Sequence, residues 1–87
     1  MLVILFKPTF VRQYQKFEPQ LQEEILEKIG LFKNPKNHKR LKVHKLTGHL
    51  SDRYSFYVNY KIRIVFSYLS KKEVVLLTLG DHDVYKK

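Results

Sequence analysis

Few residues in this chain could do chemistry, and most of them sit on or beside strand-like segments. Four histidines, His38, His44, His49 and His82, are the natural proton carriers near neutral pH. No two of them have the i, i+4 spacing that holds zinc on a helix, and no cluster of carboxylates accompanies them. A serine nucleophile at a strand-turn-helix elbow is missing. Gly30, Gly48 and Gly80 stand too far apart to form a phosphate-cradling loop. What remains is the set His44, Arg63, His82 and Tyr85. Their types suit metal-free RNA cleavage: a base takes the 2′-OH proton, a cation stabilises the charge building at phosphorus, and an acid protonates the 5′ leaving oxygen. Tyr54, Tyr57 and Tyr85 offer ring faces on which unpaired bases stack. Each has a plainer reading. A strand arginine can snorkel over its neighbours, His82 can bond to the flanking Asp81 and Asp83, and the tyrosines can pack at the rim of a core.

The elements that must position this set follow from hydrophobic periodicity. Leu2 to Phe6 is a short apolar run that reads as a strand, punctuated by Pro8 and Thr9, with Thr9 as the expected cap of the next helix. Phe10, Tyr14 and Phe17 recur at helical spacing. Glu18-Pro19 ends that helix and opens another, whose apolar stripe is Leu21, Ile25, Ile29 and Phe32 and which Asn34-Pro35 closes. Lys33 to Arg40 shows no apolar period and reads as an exposed loop. From Leu41 the period becomes two. Leu41, Val43 and Leu46 predict an inner strand carrying His44 and ending at Thr47-Gly48. Tyr54 to Tyr60, Ile62 to Tyr68 and Glu73 to Leu79 follow as strands, separated by turns near Asn59–Lys61 and Ser70–Lys72. Short connections make consecutive strands antiparallel. The predicted fold is α+β, with the order β-α-α-β-β-β(-β) and a helical hairpin covering one sheet face. Ile62, Ile64 and Phe66 should face the helices, which puts Arg63 on the open face.

With 87 residues the chain is expected to be one domain spanning 1–87. It has no cysteine, so no disulfide or thiolate site supports it and a reducing cytosol fits best. Met1 to Phe6 is too short for a signal sequence or a membrane span. The formal charge of +9 speaks to partners rather than to fold. Between Glu27 and Asp52 there is no acid, while Lys28, Lys33, Lys36, Lys39, Arg40, Lys42 and Lys45 fall in that stretch. A solvated face and an acidic protein partner are two readings of such a run. A phosphate backbone is the third, since releasing counterions at several contacts gives a dominant binding term. The run lacks the large apolar face of a membrane-surface helix.

Taken together, Val43-His44-Lys45-Leu46-Thr47-Gly48, Tyr54-Ser55-Phe56-Tyr57-Val58, Tyr60-Lys61-Ile62-Arg63-Ile64-Val65-Phe66 and Leu79-Gly80-Asp81-His82-Asp83-Val84-Tyr85 resemble the bacterial RelE/ParE toxin superfamily. The pattern is most similar to the YafQ-like and RelE/StbE-like mRNA interferases, and it spans essentially the whole chain. The resemblance implies a cytoplasmic toxin of a type II toxin–antitoxin system, a ribosome-dependent endoribonuclease that cuts mRNA and inhibits translation without a metal or small-molecule cofactor. It implies a cognate antitoxin, ribosome and mRNA as partners, and no membrane. His44 matches an active-site histidine before the turn, His82 one used for proton transfer, Arg63 a phosphate-contacting arginine, and Tyr85 a C-terminal aromatic. Lys36, Lys39, Arg40, Lys42, Lys45, Arg53, Tyr57 and Lys61 are the RNA-binding candidates beside them. The chain also departs from its relatives. Tyr57 stands where YafQ-like enzymes have a histidine, Lys61 about where they have an aspartate, and Arg40 in the region of the YoeB-type glutamate base. A gyrase-inhibiting, ParE-like protein and a nucleic-acid-binding relative without nuclease activity are the alternatives. An acidic antitoxin is expected to cover the basic face.

Overall fold

The apolar run near the N-terminus forms strand β1 (Val3–Phe6), and the two amphipathic stretches form helices α1 (Pro8–Gln15) and α2 (Pro19–Phe32). Strands β2 (His44–Lys45), β3 (Tyr54–Tyr57), β4 (Arg63–Tyr68) and β5 (Glu73–Gly80) complete the order. These elements come from a computed structural model, which describes residues 1–50 and 52–81. The five strands make one mixed sheet in the order β1-β5-β4-β3-β2. The neighbours β5-β4, β4-β3 and β3-β2 are antiparallel, while β1 lies parallel to β5. The fold is α+β, as the period changes predict, and the optional last strand is present.

Both helices begin with a proline at the first helical position, where a fixed φ helps and a missing N–H costs nothing. Helix α1 therefore starts two residues earlier than expected. Lys7 occupies its N-cap position with no side-chain cap, and the Thr9 hydroxyl accepts a hydrogen bond from Arg12 instead of capping. Gln22 donates its side-chain amide to the Tyr14 carbonyl (3.0 Å) and so ties α2 to α1. Phe10, Ile25, Ile29 and Phe32 from the helices are buried against Phe56, Ile64, Phe66, Val74, Leu76 and Leu79 from the sheet. Phe32 is the hub. Its ring stacks on Phe56 at 4.3 Å and meets Phe66 edge-on at 4.7 Å.

Three local expectations are corrected. The loop after α2 is organised by a single 3₁₀ turn, Pro35–Asn37, because the end of the helix exposes carbonyls that need donors. Asn37 donates to the Leu31 carbonyl and the His38 ring donates to the Phe32 carbonyl, both at 2.8 Å, and the His38 ring also stacks on Phe32. The strand expected from Leu41 to Leu46 contracts to His44–Lys45, and it is an edge strand rather than an inner one. Lys42 sits at φ 59°, a left-handed conformation that interrupts a strand, while Leu41 is buried in the core. Tyr60, placed at the end of the third strand by its alternation, lies in the β3–β4 turn and is 88% exposed. In β5 the near-continuous apolar run has a cause. The register slips between Val65 and Phe66, leaving Leu77 as the extra residue, so Leu76 and Leu79 both reach the core although three positions apart.

Candidate active site

On the face away from the helices, cross-strand register gathers the chemistry. Tyr57 pairs with Arg63 across β3 and β4, and His44 pairs with Ser55 across β2 and β3. Directly paired residues share a sheet face, and alternation puts Ser55 and Tyr57 on the same one. His44, Tyr57 and Arg63 therefore stand together. The His44 and Tyr57 rings are 6.4 Å apart in an edge-on arrangement.

Arg63 is on the predicted face but is not a snorkelling surface residue, being only 5% exposed. Its guanidinium carbon lies 3.7 Å from the centre of the Tyr57 ring, and its Nη1 donates to the Asn59 carbonyl at 3.0 Å. Among the described residues its Nε has no hydrogen-bond partner. One ring face of Tyr57 is thus occupied by the arginine. Lys42 brings a second cation, with Nζ 5.4 Å from the same ring.

His44 is exposed, and its Nδ1 lies 2.8 Å from the Lys42 carbonyl. A carbonyl only accepts, so Nδ1 carries the proton when the ring is neutral and Nε2 presents a lone pair. The unusual backbone at Lys42 thereby sets the histidine tautomer. That contribution was invisible in the sequence, where Lys42 is one more lysine in a basic run. Gly48, at φ 69°, makes the left-handed turn after β2 that a residue with a side chain adopts at a cost.

The remaining candidates are distributed around this group. Lys36, Lys39 and Arg40 are exposed on the turns that lead into β2, and Lys45 is exposed on β2 itself. Lys61 is exposed in the β3–β4 turn, and Arg53 is half-buried with its Nε 3.9 Å from Asp52. His82 and Tyr85 lie outside the described residues. Asn59, named in the sequence only as part of a turn, is the residue missed. It touches Arg63 by its carbonyl, and its sole signal was an asparagine between two strands. Among the described residues no three His, Cys, Asp or Glu side chains group to hold a metal ion. Among them, too, no helix is long and apolar enough to cross a membrane.

No family model matches the chain, and no curated protein matches it. Solved structures do. The YoeB–YefM complex of Staphylococcus aureus contains a chain that superposes with a TM-score of 0.72 at 21% identity, covering 94% of this chain and 98% of that one. The RelBE2 toxin–antitoxin complex of Mycobacterium tuberculosis gives 0.72 at 17% identity, over 93% and 98%. The archaeal RelE–RelB complex of Pyrococcus horikoshii OT3 gives 0.68 at 20% identity, over 92% and 93%. The chain shares its fold with these solved structures.

Proposed function

We propose that the protein is the toxin of a type II toxin–antitoxin pair and that it cleaves mRNA on the ribosome at the sheet face turned away from the helices. The observation that carries this reading is Arg63, a buried guanidinium aligned on Tyr57 and beside a histidine of fixed tautomer. Burying a cation is costly unless its charge is used, and a phosphate passing through a charged transition state uses it. In this scheme Nε2 of His44 takes the 2′-OH proton and the 2′ oxygen attacks phosphorus. The departing 5′ oxygen takes a proton from His82. Arg63 holds the non-bridging oxygens throughout. Tyr57 contacts the RNA beside Arg63, and Lys36, Lys39, Arg40, Lys42 and Lys45 hold the backbone and ribosomal RNA, with Arg53 and Lys61 at the margins. The fold's appearance in complexes named for a toxin and an antitoxin supports a cognate partner, and the +9 charge favours an acidic one.

The test is induction in bacteria with transcript ends mapped by primer extension. Wild type should give codon-linked cuts, and H44A and R63A should lose them. Growth arrest with intact mRNA and altered plasmid supercoiling would replace this reading with gyrase inhibition.

A further inference from the structure

We infer that Asn59 is a positioning residue for Arg63, anchoring the guanidinium to helix α2 through Glu24. The inference rests on the RNA-cleaving reading for its effect on rate, but its geometry stands independently. Each polar group of Asn59 is engaged. Its side-chain oxygen accepts from the backbone N–H groups of Lys61 (2.8 Å) and Ile62 (2.7 Å), which fixes the turn between β3 and β4. Two donors on that atom settle the amide orientation, so Nδ2 must point the other way. There it donates to Oε1 of Glu24 at 2.9 Å. The backbone N–H of Asn59 reaches toward the Ile62 carbonyl (3.4 Å), and the Asn59 carbonyl accepts from Nη1 of Arg63 at 3.0 Å.

The consequence is a short rigid path from α2 to the arginine. Arg63 has Tyr57 to stack on, but a ring face fixes distance better than rotation. The carbonyl of Asn59 supplies the directional contact, and its own place depends on the side chain that closes the turn. Few residue types could replace it. Aspartate would keep the oxygen that accepts from Lys61 and Ile62 but would set a carboxylate against Glu24. Serine would retain a turn-closing oxygen without reaching the helix.

The experiment combines two readouts on the purified protein. One is the Nε–H resonance of Arg63 and its exchange with water, followed by NMR. The other is the single-turnover cleavage rate of mRNA on ribosomes, set beside affinity for a non-cleavable 2′-methoxy RNA. N59A is expected to speed exchange of the Arg63 proton and to lower the cleavage rate by roughly 10²-fold, the scale of a misplaced catalytic group. RNA affinity should hold within about twofold, because the basic surface is untouched. N59D should behave like N59A, and N59D with E24Q should restore both readouts by reversing donor and acceptor. If N59A does not fold, E24A cuts only the helix anchor and should give a smaller change in the same direction. An Arg63 resonance that is unmoved in N59A and in E24A overturns the inference. Wild-type protein that cuts no RNA while N59A still frees the Arg63 proton overturns the nuclease reading and leaves the positioning role intact.

Discussion

Replacing Arg63 by methionine separates function from stability more sharply than any other single change. The wild-type side chain is 5% exposed, stacks at 3.7 Å over Tyr57 and makes a 3.0 Å hydrogen bond to the Asn59 carbonyl. Losing the desolvated cation–π contact costs about 2 kcal/mol, and losing a hydrogen bond from a charged group costs about 1.5–3 kcal/mol. Against this, R63M removes a buried Nε–H with no partner among the described residues, which returns about 1–3 kcal/mol. It also ends the desolvation of a charge, worth several kcal/mol more. Methionine refills the channel with a flexible apolar chain. The opposing contributions nearly cancel, so the urea midpoint of R63M should lie within about 1 M of wild type at the usual slope for a small domain. Cleavage should instead fall by about 10²–10³-fold, as when one preorganised donor is taken from a charged transition state. Urea denaturation followed by fluorescence and single-turnover cleavage on ribosomes measure the two sides. A variant destabilised by more than about 3 kcal/mol, the signature of breaking a structural buried pair, whose remaining folded fraction cleaves normally, would refute the reasoning.

Three further outcomes are expected. F32A removes the ring against which Phe56, Phe66 and His38 pack, and should cost about 3–5 kcal/mol in chemical denaturation, a large share of a small domain's stability. Burial raises the Tyr68 hydroxyl pKa above its ordinary 10.0, with Tyr54 adding to the effect. The folded state then holds its proton more tightly than the unfolded one, so stability is full below pH 10 and declines as pH rises beyond it. Y68F should flatten that decline in a pH series of melting temperatures. Finally, if Lys39 and Arg40 each meet a phosphate, the double variant K39Q/R40Q should lower the salt slope of single-stranded RNA binding by about 1.4, at about 0.7 per contact. An unchanged slope in a filter-binding titration places the RNA elsewhere.

Much of this architecture was legible in the chain because local and global preferences agree. The stripe Leu21, Ile25, Ile29, Phe32 could only be a helix with one buried side, and Ile62, Ile64, Phe66 around Arg63 could only be a strand that turns the arginine away from the helices. Less could be read where a tertiary contact overrides the local period. Leu41 and Val43 alternate like strand residues, yet the backbone at Lys42 turns left-handed and leaves only His44–Lys45 in the ladder. The burial of Arg63 depends on Tyr57 and Asn59, which come from the preceding strand and turn, and no spacing rule reports a guanidinium lying on a ring. The parallel pairing of β1 with β5 was likewise hidden, since strands far apart in sequence carry no turn signal. The place of His44, Arg63 and Tyr57 on one face was available from alternation alone. How they hold one another was not.

The sheet order carries a consequence for biosynthesis. Of the five strands, β5 is the last in chain order and lies between β1 and β4, with Val3 beside Glu73 and Ile64 beside Leu79. Helix α1 is also tied to it, through Gln13, whose side-chain oxygen accepts the Leu79 amide proton at 2.7 Å. A growing chain that has not yet reached Glu73 can form its helices and the β3–β4 hairpin, but the two halves of the sheet have nothing to join them. Closing a loop that spans nearly the whole chain is also the slow step of such a topology. The finished surface therefore arises only once β5 is in place, and a product terminated before Glu73 lacks the strand that joins β1 to β4.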